Sequence, residues 1–369
     1  MAAITAEDRQ ALTDSLHRLL EDKSSEADVR RTMETAEGYD PALWRQLAEM
    51  GVVGVIVEEE FGGVGAGPME LERMMEEAGA ALLCSPLLSS VFAAGLVQAL
   101  GDEGAKTRLL PSIANGSSIV TVALTGRRGG WTADGIEVSA VGTGDATKLT
   151  GAASFVTHGQ IADVLLVVAR ADDGLGVFEV DPKAAGVTIK ALPTFDHTLR
   201  LAEIAFDGAP ARRLAAERPV WDAVEDALDL ARVALAGEQA GGAKRALDFT
   251  VDYAKTRAQF GRLIGSFQAI KHMAADLLLE TESAISAARA AAASLAAGGP
   301  DARAAIDLAA FACADAFSQV TATAIQMHGG IAFTWAHPAH LYLRRARADA
   351  QLFGASAHYR ERYLQALGA

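Results

Sequence analysis

Helical periodicity gives way to short β-prone segments near residue 118 and returns near residue 218, and strand and helix never alternate. Residues 8–20 carry Leu12, Leu16, Leu19 and Leu20 at helical spacing. The run opened by Pro41 closes at Gly51, with Pro at a helix start and Gly past its end. Segments 69–81 and 88–100 read as two further helices, and 52–57 (Val-Val-Gly-Val-Ile-Val) as a short β-prone run. Seven β-prone segments then follow between 119 and 206, most of them separated by Gly and Asp turns. Long helical stretches are expected at 222–255, 267–297 and 301–328, with a last helix over 338–367. This order predicts an α+β chain with three parts: an N-terminal α-helical domain (1–117), a middle antiparallel β-barrel or sandwich domain (118–212) and a C-terminal four-helix bundle (213–369). It argues against doubly wound nucleotide-binding folds, and neither G-x-G-x-x-G after a strand nor G-x-x-x-x-G-K-[ST] occurs.

Charge and cysteine usage narrow the function classes. Acids outnumber bases 47 to 33, and no Lys/Arg block exceeds a pair such as Arg127-Arg128 or Arg344-Arg345, so no nucleic-acid partner is expected. A local basic cluster would still accommodate an anionic ligand. Cys84 and Cys313 sit in apolar surroundings and read as core. The polar N-terminus and the lack of a strongly apolar run of about 18 residues predict a cytoplasmic protein without a membrane partner. His337 and His340 share a helical face, but no third ligand is evident; they read as a polar helix start rather than a metal site.

The chemistry concentrates in two strings. Residues 257–270 read R-x-Q-F-G-x-x-I-x-x-F-Q-x-I, through Arg257, Gln259, Phe260, Gly261, Ile264, Phe267, Gln268 and Ile270. Downstream comes Q-x-x-G-G at Gln326, Gly329 and Gly330. Together with the helix–β–helix order, these strings resemble the acyl-CoA dehydrogenase family over nearly the whole chain. The resemblance implies FAD held at a subunit interface and oxidation of an acyl-CoA thioester to the trans-2-enoyl-CoA. It puts Arg257, Gln259 and Phe260, with Phe267, Gln268 and Ile270 of the same string, against the pyrophosphate and ring region of a neighbouring subunit's FAD. Arg suits that place because its planar fork pairs with phosphate oxygens. Gln326, Gly329 and Gly330 would meet the adenosine end, where Gly lets backbone N–H groups come close. Phe155 and Thr157 match the family's flavin-side W/F-x-T, and Thr125 matches the opening of its T-E-P-x-A-G-S-D string. From Gly126 and Arg127 onward that second string departs, which leaves open whether this chain's own β domain holds a flavin in the usual way. Asp229 and Arg232 fall on the helix assigned to substrate.

The expected base is missing. α,β-Dehydrogenation needs a carboxylate to remove the α-proton. The family carries a Glu either immediately before Arg232, where this chain has Ala231, or in a C-terminal Y-E-G-T string, where it has Phe353. Three arrangements follow. The chain is the subunit lacking the catalytic Glu in a hetero-oligomer, as in some actinobacterial steroid side-chain acyl-CoA dehydrogenases; or a homo-oligomer uses a displaced base, Glu238, two helical turns after Ala231; or the flavin chemistry differs. As a residue on its own, Glu238 reads first as a solvated or interface-paired carboxylate. A dimer of dimers is expected, its interface including an apolar stripe of Leu277, Leu278 and Ala284 onward, with an electron-transfer flavoprotein as acceptor.

Overall fold

The computed structural model describes residues 6–368. Six helices come first: α1 (Ala6–Lys23), α2 (Glu26–Met33), α3 (Pro41–Glu49), α4 (Pro68–Ala80), α5 (Leu87–Leu100) and α6 (Glu103–Ala114). Asp40 caps α3 by accepting from the N–H groups of Ala42 and Leu43, and Pro41 needs no such partner. The expected β run at 52–57 forms turns instead. Gly51 takes a left-handed φ of +79°, and Val57 N–H folds back onto the Gly54 carbonyl at 3.1 Å, so the valines are buried without a ladder.

Eight strands form one sheet: β1 (Val120–Ala123), β2 (Ser139–Val141), β3 (Lys148–Thr157), β4 (Val164–Ala171), β5 (Gly174–Val180), β6 (Val187–Ala191), β7 (Leu201–Pro210) and β8 (Arg212–Arg213). The order is β6-β7-β3-β2-β4-β5-β8, with β1 beside β4. Most pairings are antiparallel, but β1–β4 and β2–β4 are parallel, so the sheet is mixed. Alternation in β7 buries Ala202, Ile204 and Phe206, the last two in one core with Leu149, Val167 and Phe178.

The C-terminal part holds α7 (Val220–Thr256), a two-stranded hairpin of β9 (Ala258–Gln259) and β10 (Arg262–Leu263), then α8 (Gln268–Ala297), α9 (Ala302–His328), α10 (Ala339–Asp349) and α11 (Ser356–Ala366). The single last helix expected from the sequence is broken between α10 and α11, where Phe353 has a φ of +58° and Gly354 one of +130°. The chain divides into two compact units. One comprises residues up to Arg31, Pro68–Leu83 and everything from Arg232; the other comprises Thr32–Gly67 and Cys84–Ala231.

The helical unit is packed by small residues. Ala236, Ala240, Ala284, Ala288, Ala291, Ala309 and Ala316 share one core with Cys313. Burial pushes the Cys313 thiol pKa up, so it remains protonated. Leu277 and Ala284 are buried, correcting their expected place in an exposed stripe; the exposed apolar side chains on α8 are Leu278 and Leu279. On α7, Gly237 and Gly241 lie directly on the backbone carbonyls of Glu72 and Glu76 on α4, so the two helices approach as only glycine permits. The stretch Ala302–Phe333 is long and apolar enough by composition to cross a membrane, unlike the sequence expectation, and half of its most apolar window is buried inside the protein.

Candidate functional site

The end of α7 builds a rigid, outward-facing finger. Gln259 pairs with Arg262 and Ala258 with Leu263, leaving Phe260 and Gly261 as the two central residues of the turn. Both have positive φ, +53° and +75°, the geometry of a tight primed hairpin turn. Gly261 adopts it freely, whereas Phe260 is a strained choice that a structural turn alone does not ask for. Its ring is 92% exposed, with Phe267 edge-on at 6.3 Å. The Arg262 guanidinium lies 3.9 Å from the centre of the Phe267 ring. The base of the finger is fixed by Arg257 N–H donating to Tyr253 O and Ile264 N–H donating to Arg257 O, both at 2.8 Å. Arg257, Gln259 and Gln268 are exposed, and Phe267 and Ile270 are half-buried.

The end of α9 supplies a second exposed element. Gln326, Gly329 and Gly330 face solvent, Gly329 has a φ of +68°, and no atom lies within 4 Å of where a Cβ would stand on either glycine. A ligand can therefore reach their backbone closely. Tyr253 and His328 join the two elements, their rings stacked 4.4 Å apart. The sequence reading missed both. The only signal was their place in the chain: Tyr253 lies one helical turn before Arg257, and His328 is the second x of the Q-x-x-G-G string.

In the β unit, Thr125, Phe155 and Thr157 come together across β3. Ser154 N–H donates to the Thr125 carbonyl at 2.8 Å, and the Thr125 hydroxyl donates to the Ser154 carbonyl at 2.5 Å. Thr125 and Thr157 are buried, and Phe155 has a φ of +58°. At Gly126, the space a Cβ would take is filled by the Glu137 carboxyl group, 2.3 Å away. The donor set that fits a dinucleotide phosphate is thus the finger and the Gly329-Gly330 turn. In the β unit the Thr125 hydroxyl is already engaged by the Ser154 carbonyl.

The positions where a base is expected are closed. Ala231 is 0% exposed and Phe353 is 1% exposed. Phe353 is held by Tyr359, whose hydroxyl donates to the Phe353 carbonyl and accepts from Arg232 Nε at 3.0 Å. Asp229 is buried on the same helix. Glu238, 4% exposed, accepts from Arg345 Nε at 2.7 Å, and that guanidinium also lies 3.3 Å from Asp349. Arg232, Gln239, Asp349 and Tyr359 line a cavity of only about 10 Å³, room for roughly one water. A larger groove of about 740 Å³ runs among α1, α4, α7 and α10, but its charges pair with each other: Arg289 with Glu76 at 3.0 Å, Lys244 with Asp248 at 2.8 Å and His17 with Glu77 at 2.8 Å. His340 is buried edge-on to Trp335, and burial lowers its pKa to about 4. Among the described residues no three His, Cys, Asp or Glu side chains gather to hold a metal ion.

A helical first part, a curled mixed sheet, a helical last part and an exposed, phosphate-suited finger define a flavin-dependent dehydrogenase scaffold. The chain matches the acyl-CoA dehydrogenase N-terminal domain over residues 6–117 and the C-terminal domain over 221–368. It belongs to the acyl-CoA dehydrogenase family: an oxidoreductase acting on CH–CH bonds of acyl-CoA thioesters, with FAD as cofactor. It is 35% identical over 350 residues to acyl-CoA dehydrogenase IpdE2 of Mycolicibacterium smegmatis, covering 95% of each protein. It superposes on a chain of the ChsE4-ChsE5 complex from Mycobacterium tuberculosis with a TM-score of 0.89 at 30% identity, over 100% of this chain and 99% of the other. It also superposes on a chain of a variant of the Tcur3481-Tcur3483 steroid ACAD with a TM-score of 0.88 at 30% identity, over 98% of each.

Proposed function

We propose that this chain is the base-lacking subunit of a hetero-tetrameric, cytoplasmic acyl-CoA dehydrogenase, and that it grips an FAD whose flavin end is held by a related partner subunit. The observation that carries this reading is the closure of both base positions by buried apolar side chains, with Glu238 engaged by Arg345. A buried carboxylate held by a guanidinium at 2.7 Å is committed to that partner and screened from a substrate, which suits an internal support rather than a proton acceptor. The likeness to a chain of a two-component complex supports a second subunit, and the likeness to a steroid enzyme supports a CoA thioester carried on a steroid side chain as substrate.

In this reading Arg257 neutralises pyrophosphate charge, Gln259 and Gln326 offer amide donors, and the Phe260 ring covers the cofactor's apolar edge. Gly329 and Gly330 present backbone N–H groups to the adenosine end. FAD, when bound, supplies the hydride acceptor. The partner's carboxylate takes the α-proton, and Arg232 and Asp229 shape the helix beside the reacting chain. An electron-transfer flavoprotein is the proposed acceptor.

Co-expression with the adjacent reading frame tests this. A second chain of similar size should co-purify, carry an acidic residue at one of the two base positions, and give a yellow complex that bleaches with acyl-CoA. A chain that alone retains FAD and reduces an acceptor with acyl-CoA refutes the two-component reading.

A further inference from the structure

Tyr253 lies one helical turn before Arg257, and its carbonyl accepts the Arg257 N–H at 2.8 Å. His328 is the last residue of α9, directly before Gly329-Gly330. The two rings stack at 4.4 Å with 28° between their planes, and the Tyr253 hydroxyl points to the His328 carbonyl at 3.5 Å. His328 Nδ1 donates to the Ala324 carbonyl at 2.8 Å, which fixes the tautomer and leaves Nε2 buried without a hydrogen-bond partner. Burial lowers the His328 pKa, so the ring is neutral. His337 at 4.5 Å and Phe249 at 5.6 Å back the imidazole from other sides. An imidazole left with an unmet acceptor is a poor choice for helix-end packing alone; a leucine would fill the space without that penalty.

We propose that Tyr253 and His328 are positioning residues whose stack sets the spacing between the Arg257 finger and the Gly329-Gly330 turn, so that both grip one dinucleotide at once. This rests on the FAD-gripping role argued above. Two contacts held at fixed separation act as one bivalent site: the second forms at high effective concentration once the first is made. Loosening the stack leaves each contact intact but removes that advantage.

The test uses the oligomer as isolated, stripped of flavin and titrated with FAD and with FMN, which lacks the adenylyl half. Tyr253→Phe keeps the stack and should retain wild-type FAD affinity. Tyr253→Leu should weaken FAD about 10-fold or more while leaving FMN affinity unchanged. The proposal is overturned if Phe and Leu behave alike, or if FMN weakens as much as FAD, the mark of general destabilisation. Should Tyr253→Leu not assemble, His328→Gln, which keeps a donor toward Ala324 but no aromatic face, gives the same comparison. Arg257→Ala separates the two levels: unchanged FAD affinity there refutes the FAD-gripping role itself, whereas a weakened Arg257→Ala beside an unaffected Tyr253→Leu refutes only the positioning.

Discussion

Replacing Gly241 with Ala sets two effects of opposite sign against each other. By helix propensity alone, Gly→Ala in the middle of a 37-residue helix should stabilise it by about 1 kcal/mol. The packing says otherwise. A Cβ at 241 would stand 1.8 Å from the Glu76 carbonyl oxygen and 2.6 Å from its carbon, both backbone atoms of α4. Ordinary contact needs about 3.4 Å, so α7 and α4 must part by roughly 1.6 Å. They cannot part at one point only. Gly237 meets the Glu72 carbonyl at 2.5 Å and Gly79 meets the Glu238 carbonyl at 1.9 Å along the same seam. Overpacking of this kind costs about 3 kcal/mol or more, which outweighs the propensity gain. The net loss of about 2 kcal/mol, at roughly 2–4 °C per kcal/mol in a unit of this size, should lower the melting temperature by the order of 4–8 °C. Gly242→Ala is the comparison, because its Cβ meets a side chain rather than backbone, the ring of the buried Phe317, at 2.5 Å. Thermal unfolding followed by circular dichroism decides the matter. A Gly241→Ala protein that melts at or above the wild-type temperature refutes the backbone-contact reasoning.

Other substitutions probe single groups. Glu238→Gln should lower stability by about 1.5–3 kcal/mol, because it removes one of the two carboxylates, with Asp349, that pair with the buried Arg345 guanidinium; per folded oligomer, turnover should survive, and its abolition with unchanged stability would identify Glu238 as the base. Burial raises the Glu72 pKa to about 7, above its unfolded value of 4.5. Its contribution is therefore fully present below pH 4.5 and is lost as the pH rises through about 7, so Glu72→Gln should gain on wild type by a few kcal/mol at pH 8 and little at pH 5, read from denaturant midpoints. Phe260→Ala should leave the melting temperature within about 1 °C, its ring being 92% exposed, yet lower FAD affinity; an equal affinity would remove the ring from the cofactor contact.

Much of the architecture was legible because it repeats. Helices with sustained periodicity, such as α4, α5, α8 and α9, have bounds close to those expected, since a stripe of apolar side chains and flanking Pro or Gly mark both face and ends. Legibility failed where a few residues override a pattern. The valines at 52–57 look like a strand but are turned by Gly51 and Gly54 and find no partner strand. The last helix breaks at Phe353, a residue with no aversion to helix, because its carbonyl is captured by Tyr359 from the far side of the loop.

For the candidate site, the order of residues alone determined the family likeness, the 257–270 and 326–330 strings and the lack of an acid at 231 and 353, because these are matters of residue identity and spacing. Tertiary structure decided that Phe260 projects, that Glu238 is tied to Arg345, and that Tyr253, 75 residues away in sequence, lies on His328. Such contacts join positions whose separation along the chain carries no signal, and they exist only once packed helices bring distant side chains within a few ångströms of each other.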